Sequence, residues 1–288
     1  MTNLKVGFIG FGEAATHICE GLTGEGVTTI HAFDIRPRPL QDGVTLTDSL
    51  EDLLTASGIV FSAVTCTVAL DVAQQAAPYL TDRHLYVDIN SVSPETKIAV
   101  GKTVMETGAR YVEAAVMAGV PGYGHKVPIL LSGEAAPELI QAMAPYGMAL
   151  EDFGPEPGRA SAFKMFRSII VKGMEALFQE CVLGAEHYGV AKKVLDSVGD
   201  GYPGIDWDKM AHHLIGRTAI HGERRAHEME EVAETLKAIG IEPMMSAAAA
   251  KRIMWAASKG LKETFPDDAP SDYRDVIKAI KAYDDKNA

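Results

Sequence analysis

Two sets of residues in this chain have types and spacings that could do chemistry. The first is Gly10-Phe11-Gly12-Glu13-Ala14-Ala15, a G-x-G-x-x-A turn set between an apolar strand-like run and a helical one. In such a turn Gly10 permits the tight bend, Gly12 lets the backbone approach a pyrophosphate, and Ala15 is small enough for helix to pack on strand. The free N–H groups at the helix start then face the anion. Asp34 closes the next strand-like run, about 20 residues on, where a dinucleotide site needs a carboxylate for the ribose hydroxyls. A carboxylate there repels a 2′-phosphate and favours NAD. Arg36 and Arg38 follow at once and could take that phosphate, which keeps NADP possible; Arg36 could also stack on adenine or be solvated. Val64 and Thr65, after a third strand-like run, and Asn90, after a fourth, complete the expected cofactor residues.

The second set surrounds Lys164, which is flanked by Phe163, Met165 and Phe166. Hydride transfer from an alcohol needs a group that takes the hydroxyl proton, or returns it in reverse. A lysine beside a cationic nicotinamide in a partly dry cleft has its pKa lowered toward neutrality. The plainer reading is a snorkelling lysine at the edge of an apolar helix face. Arg167 and Ser168 lie three and four residues on and share that face. Arg167 could clamp a carboxylate or phosphonate with two parallel hydrogen bonds, or form a surface salt bridge. Ser168 could orient a substrate hydroxyl or face a neighbouring helix. Asn90 and Ser91 could meet the substrate or cap the helix that opens at Ser93-Pro94. The loop Gly119 to Lys126 could shape the site with backbone amides or be an ordinary turn. His213, Arg217, His221, Arg224 and Glu228 recur at three and four residues, which gives a solvated helix face or an anion pocket built from His221 and Arg224. No H-E-x-x-H or clustered carboxylate spacing is present, so no metal is expected.

The elements that must hold these residues follow from periodicity. Strand-like runs cover Lys5–Ile9, Thr28–Phe33, Ile59–Ala63, Leu85–Asp88, Arg110–Ala115 and Val127–Ser132, with helical stretches such as Asp48–Ala56, Val68–Ala77 and Pro94–Gly108 between them. That alternation implies an α/β fold: a doubly wound parallel sheet covered on both faces, over residues 1–158. After Gly154-Pro155-Glu156-Pro157-Gly158 the pattern turns helical, so residues 159–288 are expected to form an all-α domain led by a long interdomain helix. Phe163, Phe166, Ile170, Met174, Leu177, Cys181 and Ala185 make one apolar stripe on it, ending near Gly189. Further helices are expected over Trp207–Ile239, Met244–Lys259 and Ser271–Tyr283. The long helix leaving a nucleotide-binding sheet implies a cleft at the carboxyl ends of the strands, where ligands collect.

With 288 residues, 47% hydrophobic and 23% charged, the chain has ample material for a core. Its net charge of −12 argues against nonspecific nucleic-acid binding. Cys19, Cys66 and Cys181 lie far apart and read as buried small residues of a reducing compartment. No leader pattern opens the sequence and no run is long enough to span a bilayer, so a cytoplasmic protein without membrane contact is expected.

These motifs resemble the β-hydroxyacid dehydrogenase family, which includes 3-hydroxyisobutyrate dehydrogenase, tartronate semialdehyde reductase and 6-phosphogluconate dehydrogenase, with imine reductases as relatives. The glycine turn is similar to its opening motif. Asp88-Ile89-Asn90-Ser91-Val92-Ser93-Pro94 resembles its D-x-S-T-x-x-P segment, and Glu113 to Gly119 its D-A-P-V-S-G-G segment. Gly158 to Ser168 resembles the segment that carries the family's catalytic lysine, here Lys164. The likeness extends to about Gly189, and the remainder looks like an uncharacterised branch of the superfamily. It implies hydride transfer between nicotinamide and a small anionic hydroxy or keto acid, with substrate contacts at Asn90, Ser91, Met117, Ala118, Gly119, Arg167 and Ser168; His221, beyond the likeness, is a further expected substrate contact from the His/Arg-rich helix. It also implies a homodimer or homotetramer assembled through the helical domain. The chain departs from the family at Asn90 and Ser91 for serine and threonine, at Met117 for serine, and at Arg167 and Ser168 for two asparagines. These departures put the family's usual substrates in question. They leave open an imine or ketimine reductase, although related imine reductases generally lack the lysine, or a non-enzymatic NAD(P)-sensing module.

Overall fold

The computed structural model describes residues 4–36, 39, 41–266 and 268–287. The chain divides into two compact units, one ending at Lys164 and one starting at Met165.

The first unit alternates β1 (Lys5–Ile9), α1 (Glu13–Gly24), β2 (Thr29–Phe33), β3 (Val44–Leu46), α2 (Leu50–Ala56), β4 (Ile59–Ser62), α3 (Ala69–Ala76), β5 (Leu85–Asp88), α4 (Pro94–Met105) and β6 (Arg110–Val116). A single helical turn, α5 (Val120–Tyr123), then leads to β7 (Ile129–Ser132), α6 (Ala136–Met143) and β8 (Leu150–Asp152). The eight strands lie in the order β3-β2-β1-β4-β5-β6-β7-β8. Side chains alternate between faces: Phe8, Phe61 and Val87 join α1 and α6 in one core, while Ile9, Val60 and Tyr86 join α2, α3 and α4 in the other. Burial on both faces is why these strands read as near-continuous apolar runs.

Two features correct the sequence reading. The sheet is not parallel throughout, because β6 and β7 pair antiparallel. Their connection holds only the one-turn α5 in place of a full crossover helix, and a parallel pair needs that crossover. Strands β3 and β8 were absent from the expected pattern; both have three residues and half-exposed or exposed side chains, too little for a period to show.

Two buried acids hold this unit together. Asp88 and Lys97 form an ion pair at 3.0 Å with both side chains almost wholly buried. Lys97 Nζ also donates to the Asp88 carbonyl at 2.7 Å, and the Tyr111 hydroxyl donates to Asp88 at 3.3 Å. Glu113, on β6, accepts hydrogen bonds from the backbone N–H groups of Gly158 and of Ser161, the latter at 2.6 Å. Ser132 Oγ accepts from Ala160 N at 3.2 Å. These three donors belong to the first turn of α7 (Arg159–His187), where orphan N–H groups and the helix dipole favour a carboxylate.

The second unit contains the rest of α7 and α8 (Ala191–Gly201), α9 (Trp207–Ala238), α10 (Met244–Ala257), α11 (Leu261–Thr264) and α12 (Tyr273–Asn287). Helix α8 was not anticipated. The last helix starts two residues later than expected, so Asp272 rather than Ser271 meets its first turn, accepting from Arg274 N at 2.8 Å. Gly189, with φ +67°, ends α7: its N–H bonds to Glu186 O and that of Val190 to Ala185 O, the paired closure that left-handed glycine permits. The apolar stripe of α7 is not core. Ile170 is 65% exposed and Leu177 59%, with Phe163 and Phe166 also exposed, whereas Lys172, Glu175 and Gln179 are buried. Cys66 and Cys181 are exposed as well, and only Cys19 is buried as expected.

Replacing Lys97 by Met leaves Asp88 as an unpaired buried carboxylate. We expect a loss of ~3–5 kcal/mol, read by chemical denaturation.

Candidate active site

The strand order places β1 between β2 and β4, the point where an open α/β sheet reverses its winding and where ligands collect at the carboxyl ends of strands. The glycine turn follows β1 at this point. Gly10 has φ +85°, and a Cβ there would lie 2.5 Å from the Ala63 carbonyl oxygen, so only glycine fits beside the end of β4. Gly12 is the N-cap of α1 in extended conformation, and a Cβ there would meet nothing within 4 Å. Beside the free amides at the start of α1 lies an open space that any side chain would enter, as a bound pyrophosphate requires. Glu13 and Ala14 open the helix, and buried Ala15 packs in the core shared with Phe8.

Asp34 ties the end of β2 to this turn. Its carboxylate accepts from Phe11 N and from Arg36 N, each at 2.8 Å. The acid therefore sits beside the turn as its spacing implied. Arg36 is exposed, and Arg38 lies outside the described residues. Val64 follows β4, donates its N–H to Asn90 Oδ1 at 2.7 Å and packs on the second core; Thr65 directly precedes the short turn at Cys66–Val68.

Asn90 is turned inward. It is 4% exposed, and both amide hydrogens are engaged, with Ser62 Oγ at 3.0 Å and Asp88 Oδ1 at 2.7 Å. It joins the loops after β4 and β5 rather than presenting a donor to a ligand. Neither Asn90 nor Ser91 caps α4; Ser93 does, accepting from Thr96 N at 3.2 Å. That leaves Ser91 exposed, and the Lys164 ammonium donates to its Oγ at 3.0 Å across 73 residues of sequence. Lys164 is half-buried. Its aromatic neighbours do not wall it off as expected: Phe163 is exposed and stacks obliquely on Phe153 at 5.2 Å. Met117 packs near Ala115, Leu130 and Ala160, with Ala118 half-buried and Gly119 exposed at the start of α5.

Arg167, Ser168 and His221 belong to the second unit. Arg167 is exposed, and Ser168 Oγ accepts from Lys172 Nζ at 3.2 Å. Burial, then the charges of Arg224, Arg225 and Arg217, pull the His221 imidazole below its ordinary pKa. Arg224 is paired with Glu228 at 2.6 Å. His212 is structural, accepting from Tyr273 N at 3.1 Å. Among the described residues no group of three His, Cys, Asp or Glu side chains could hold a metal ion, and no helix is long and apolar enough to cross a membrane.

Sequence reasoning missed Asp88, Lys97 and Glu113 as the residues that fix this site. The available signal was an acid inside an apolar strand, since such acids are buried only when paired.

This sheet and turn define a dinucleotide-binding protein with a hydroxyacid dehydrogenase-like fold. The NAD binding domain of 6-phosphogluconate dehydrogenase matches residues 5–147, and a domain of unknown function, DUF1932, matches residues 185–255. A conserved hypothetical protein from Sinorhizobium meliloti 1021 is 36% identical, with a TM-score of 0.83 over 98% of this chain and 97% of that one. The conserved protein MTH1747 of unknown function, reported as structurally similar to 3-hydroxyacid dehydrogenases, is 35% identical, with a TM-score of 0.76 over 91% and 98%. The 2-(hydroxymethyl)glutarate dehydrogenase of Eubacterium barkeri is 26% identical over 64% of each chain. A reductive aminase from Aspergillus terreus, at 16% identity and a TM-score of 0.56 over 96% and 99%, shares the fold alone. The chain belongs to the 6-phosphogluconate dehydrogenase-like family of NAD-binding proteins, in the branch whose C-terminal part is the DUF1932 domain.

Gly12→Ala should leave stability within ~0.5 kcal/mol, because the new methyl meets no protein atom. The same methyl should weaken NAD(H) binding by about tenfold or more, as read by NADH fluorescence titration.

Proposed function

We propose that the protein is a cytoplasmic oxidoreductase that moves a hydride between NAD and the hydroxyl-bearing carbon of a small anionic hydroxy or keto acid, with Lys164 as general acid and base. The observation that carries this reading is the hydrogen bond from Lys164 to Ser91. It sets an ammonium beside the loop after β5, on the carboxyl edge of the sheet whose β1 end carries the glycine turn.

The residues present fit a dinucleotide. The amides from Gly10 to Ala15 would hold the pyrophosphate, Asp34 would meet the ribose hydroxyls and favour NAD over NADP, and Val64 and Thr65 would line the nicotinamide side. Bound there, the cofactor supplies or accepts the hydride. Lys164 takes the substrate hydroxyl proton on Nζ, or returns it in the reduction, and Ser91 accepts the hydrogen bond that aims Nζ. Asn90 acts through position, holding the loops after β4 and β5 together. Ala118 and Gly119 present backbone to the substrate, and Met117 puts a thioether where the family has a serine. The shared fold with a reductive aminase supports a second reading, reduction of an imine.

Lys164→Ala should lower kcat on a hydroxyacid and ketoacid panel by about 10²- to 10⁴-fold while NADH still binds. Full activity in that variant would overturn the assignment, and turnover confined to imines would favour the second reading. We further infer that the exposed α7 stripe seats a second copy of the chain, giving a homodimer or homotetramer. Ile170→Glu combined with Leu177→Glu should then sediment as a monomer where the wild type does not.

A further inference from the structure

One face of α7 in the second unit is apolar and exposed. Phe166, Ile170, Leu177, Cys181 and Tyr188, the last just beyond the helix, lie along it. Gly173 and Gly184 fall in the same row. From Phe166 to Tyr188 the steps are four, three, four, four, three and four residues. At ~100° per residue all seven stay within a stripe roughly 80° wide. The row is also a palindrome: it reads the same in both directions from Leu177.

The two glycines have no reason within the chain. Neither has a positive φ, and a Cβ at either would meet nothing within 4 Å among the described residues. Glycine inside a helix is less stable than alanine, and a close approach from another molecule is what makes it useful. Each glycine leaves a gap between large side chains. Arg167 and Glu180 flank the row without entering it, and Glu180 is held by Arg252 at 3.0 Å.

We propose that α7 packs antiparallel on α7 of a second copy, with the two-fold axis at Leu177. A two-fold interface is self-complementary, so a residue before Leu177 meets the one equally far beyond it in the partner. Ile170 then fills the gap at the partner's Gly184, and Cys181 that at the partner's Gly173. Phe166 lies along the partner's Tyr188, and Leu177 meets itself. No other antiparallel register sets all seven positions against one another. Phe166, Ile170, Leu177 and Tyr188 are 38%, 65%, 59% and 79% exposed. At ~200 Å² for a large apolar side chain, they offer roughly 500 Å² per copy, or about 1,000 Å² for the pair, the area a specific interface must clear. This pairing rests on the second copy proposed above and is independent of the hydride chemistry.

Cysteine cross-linking of the full-length protein, oxidised with copper phenanthroline and with Cys66→Ser throughout, tests the pairing position by position. Gly173→Cys should form a covalent dimer through the native Cys181 of the partner, and adding Cys181→Ser should abolish it. Leu177→Cys with Cys181→Ser should link at the axis. Ile170→Cys with Cys181→Ser should not link, because the antiparallel pair sets its two copies 14 residues, or ~21 Å, apart. Gly184→Leu, although leucine is the better helix former, should weaken the dimer about tenfold or more in sedimentation by filling the gap. Linking through Ile170→Cys, or no link in Gly173→Cys and Leu177→Cys while the protein sediments as a dimer, overturns this pairing and leaves the second copy standing. An undiminished dimer in Gly184→Leu also overturns it. A wild type that sediments as a monomer overturns both.

Discussion

The carboxylate of Glu113 is the constraint on which the candidate site depends. It is fully buried on β6, and its partners are not cations but the backbone N–H groups that open α7. A buried carboxylate without such partners is strongly unfavourable, and a helix start without an acceptor leaves orphan donors, so each resolves the other's difficulty. The result is a fixed first turn. Lys164 stands one turn beyond, and its ammonium reaches Ser91 because the turn beneath it cannot shift.

The Asp88 network does for the strand ends what Glu113 does for the helix. Lys97, Tyr111 and Asn90 all converge on one buried carboxylate, and Asn90 carries the connection on to Ser62 and Val64. The loops after β4 and β5 are therefore tied to each other by side chains. Gly10 ties the loop after β1 to the same place by leaving no space for a side chain beside Ala63. Ser91 and Lys164 of the candidate site are exposed or half-buried, and the charges behind them are buried.

Much of this was legible in the sequence. The glycine turn, Asp34 and the strand–helix alternation are written in local patterns of period two, period 3.6 and short spacing, whereas Lys164 stands out only through the resemblance of its segment to the family's lysine segment. What was not legible depends on long-range pairing. Glu113 and Gly158 are 45 residues apart, and nothing local tells a clamped acid from a solvated one. The engagement of the Asn90 amide was not legible either, because it depends on Ser62 and Asp88 lying alongside. The apolar stripe of α7 was legible as a face, but periodicity does not report what covers it; in the single chain the buried face is the one bearing Lys172, Glu175 and Gln179. The reversal of β7 was hidden for a related reason, since alternation of elements carries no strand direction.

The central claim is that the Glu113 clamp places Lys164. The most direct test is steady-state kinetics of Glu113→Gln, an isosteric change that keeps one acceptor oxygen and removes the charge, alongside NADH titration of the same sample. The account predicts unchanged NADH affinity with kcat lowered by about 10²-fold, the scale expected when a catalytic group is misplaced by around an ångström. Wild-type kcat in a folded Glu113→Gln protein would contradict it.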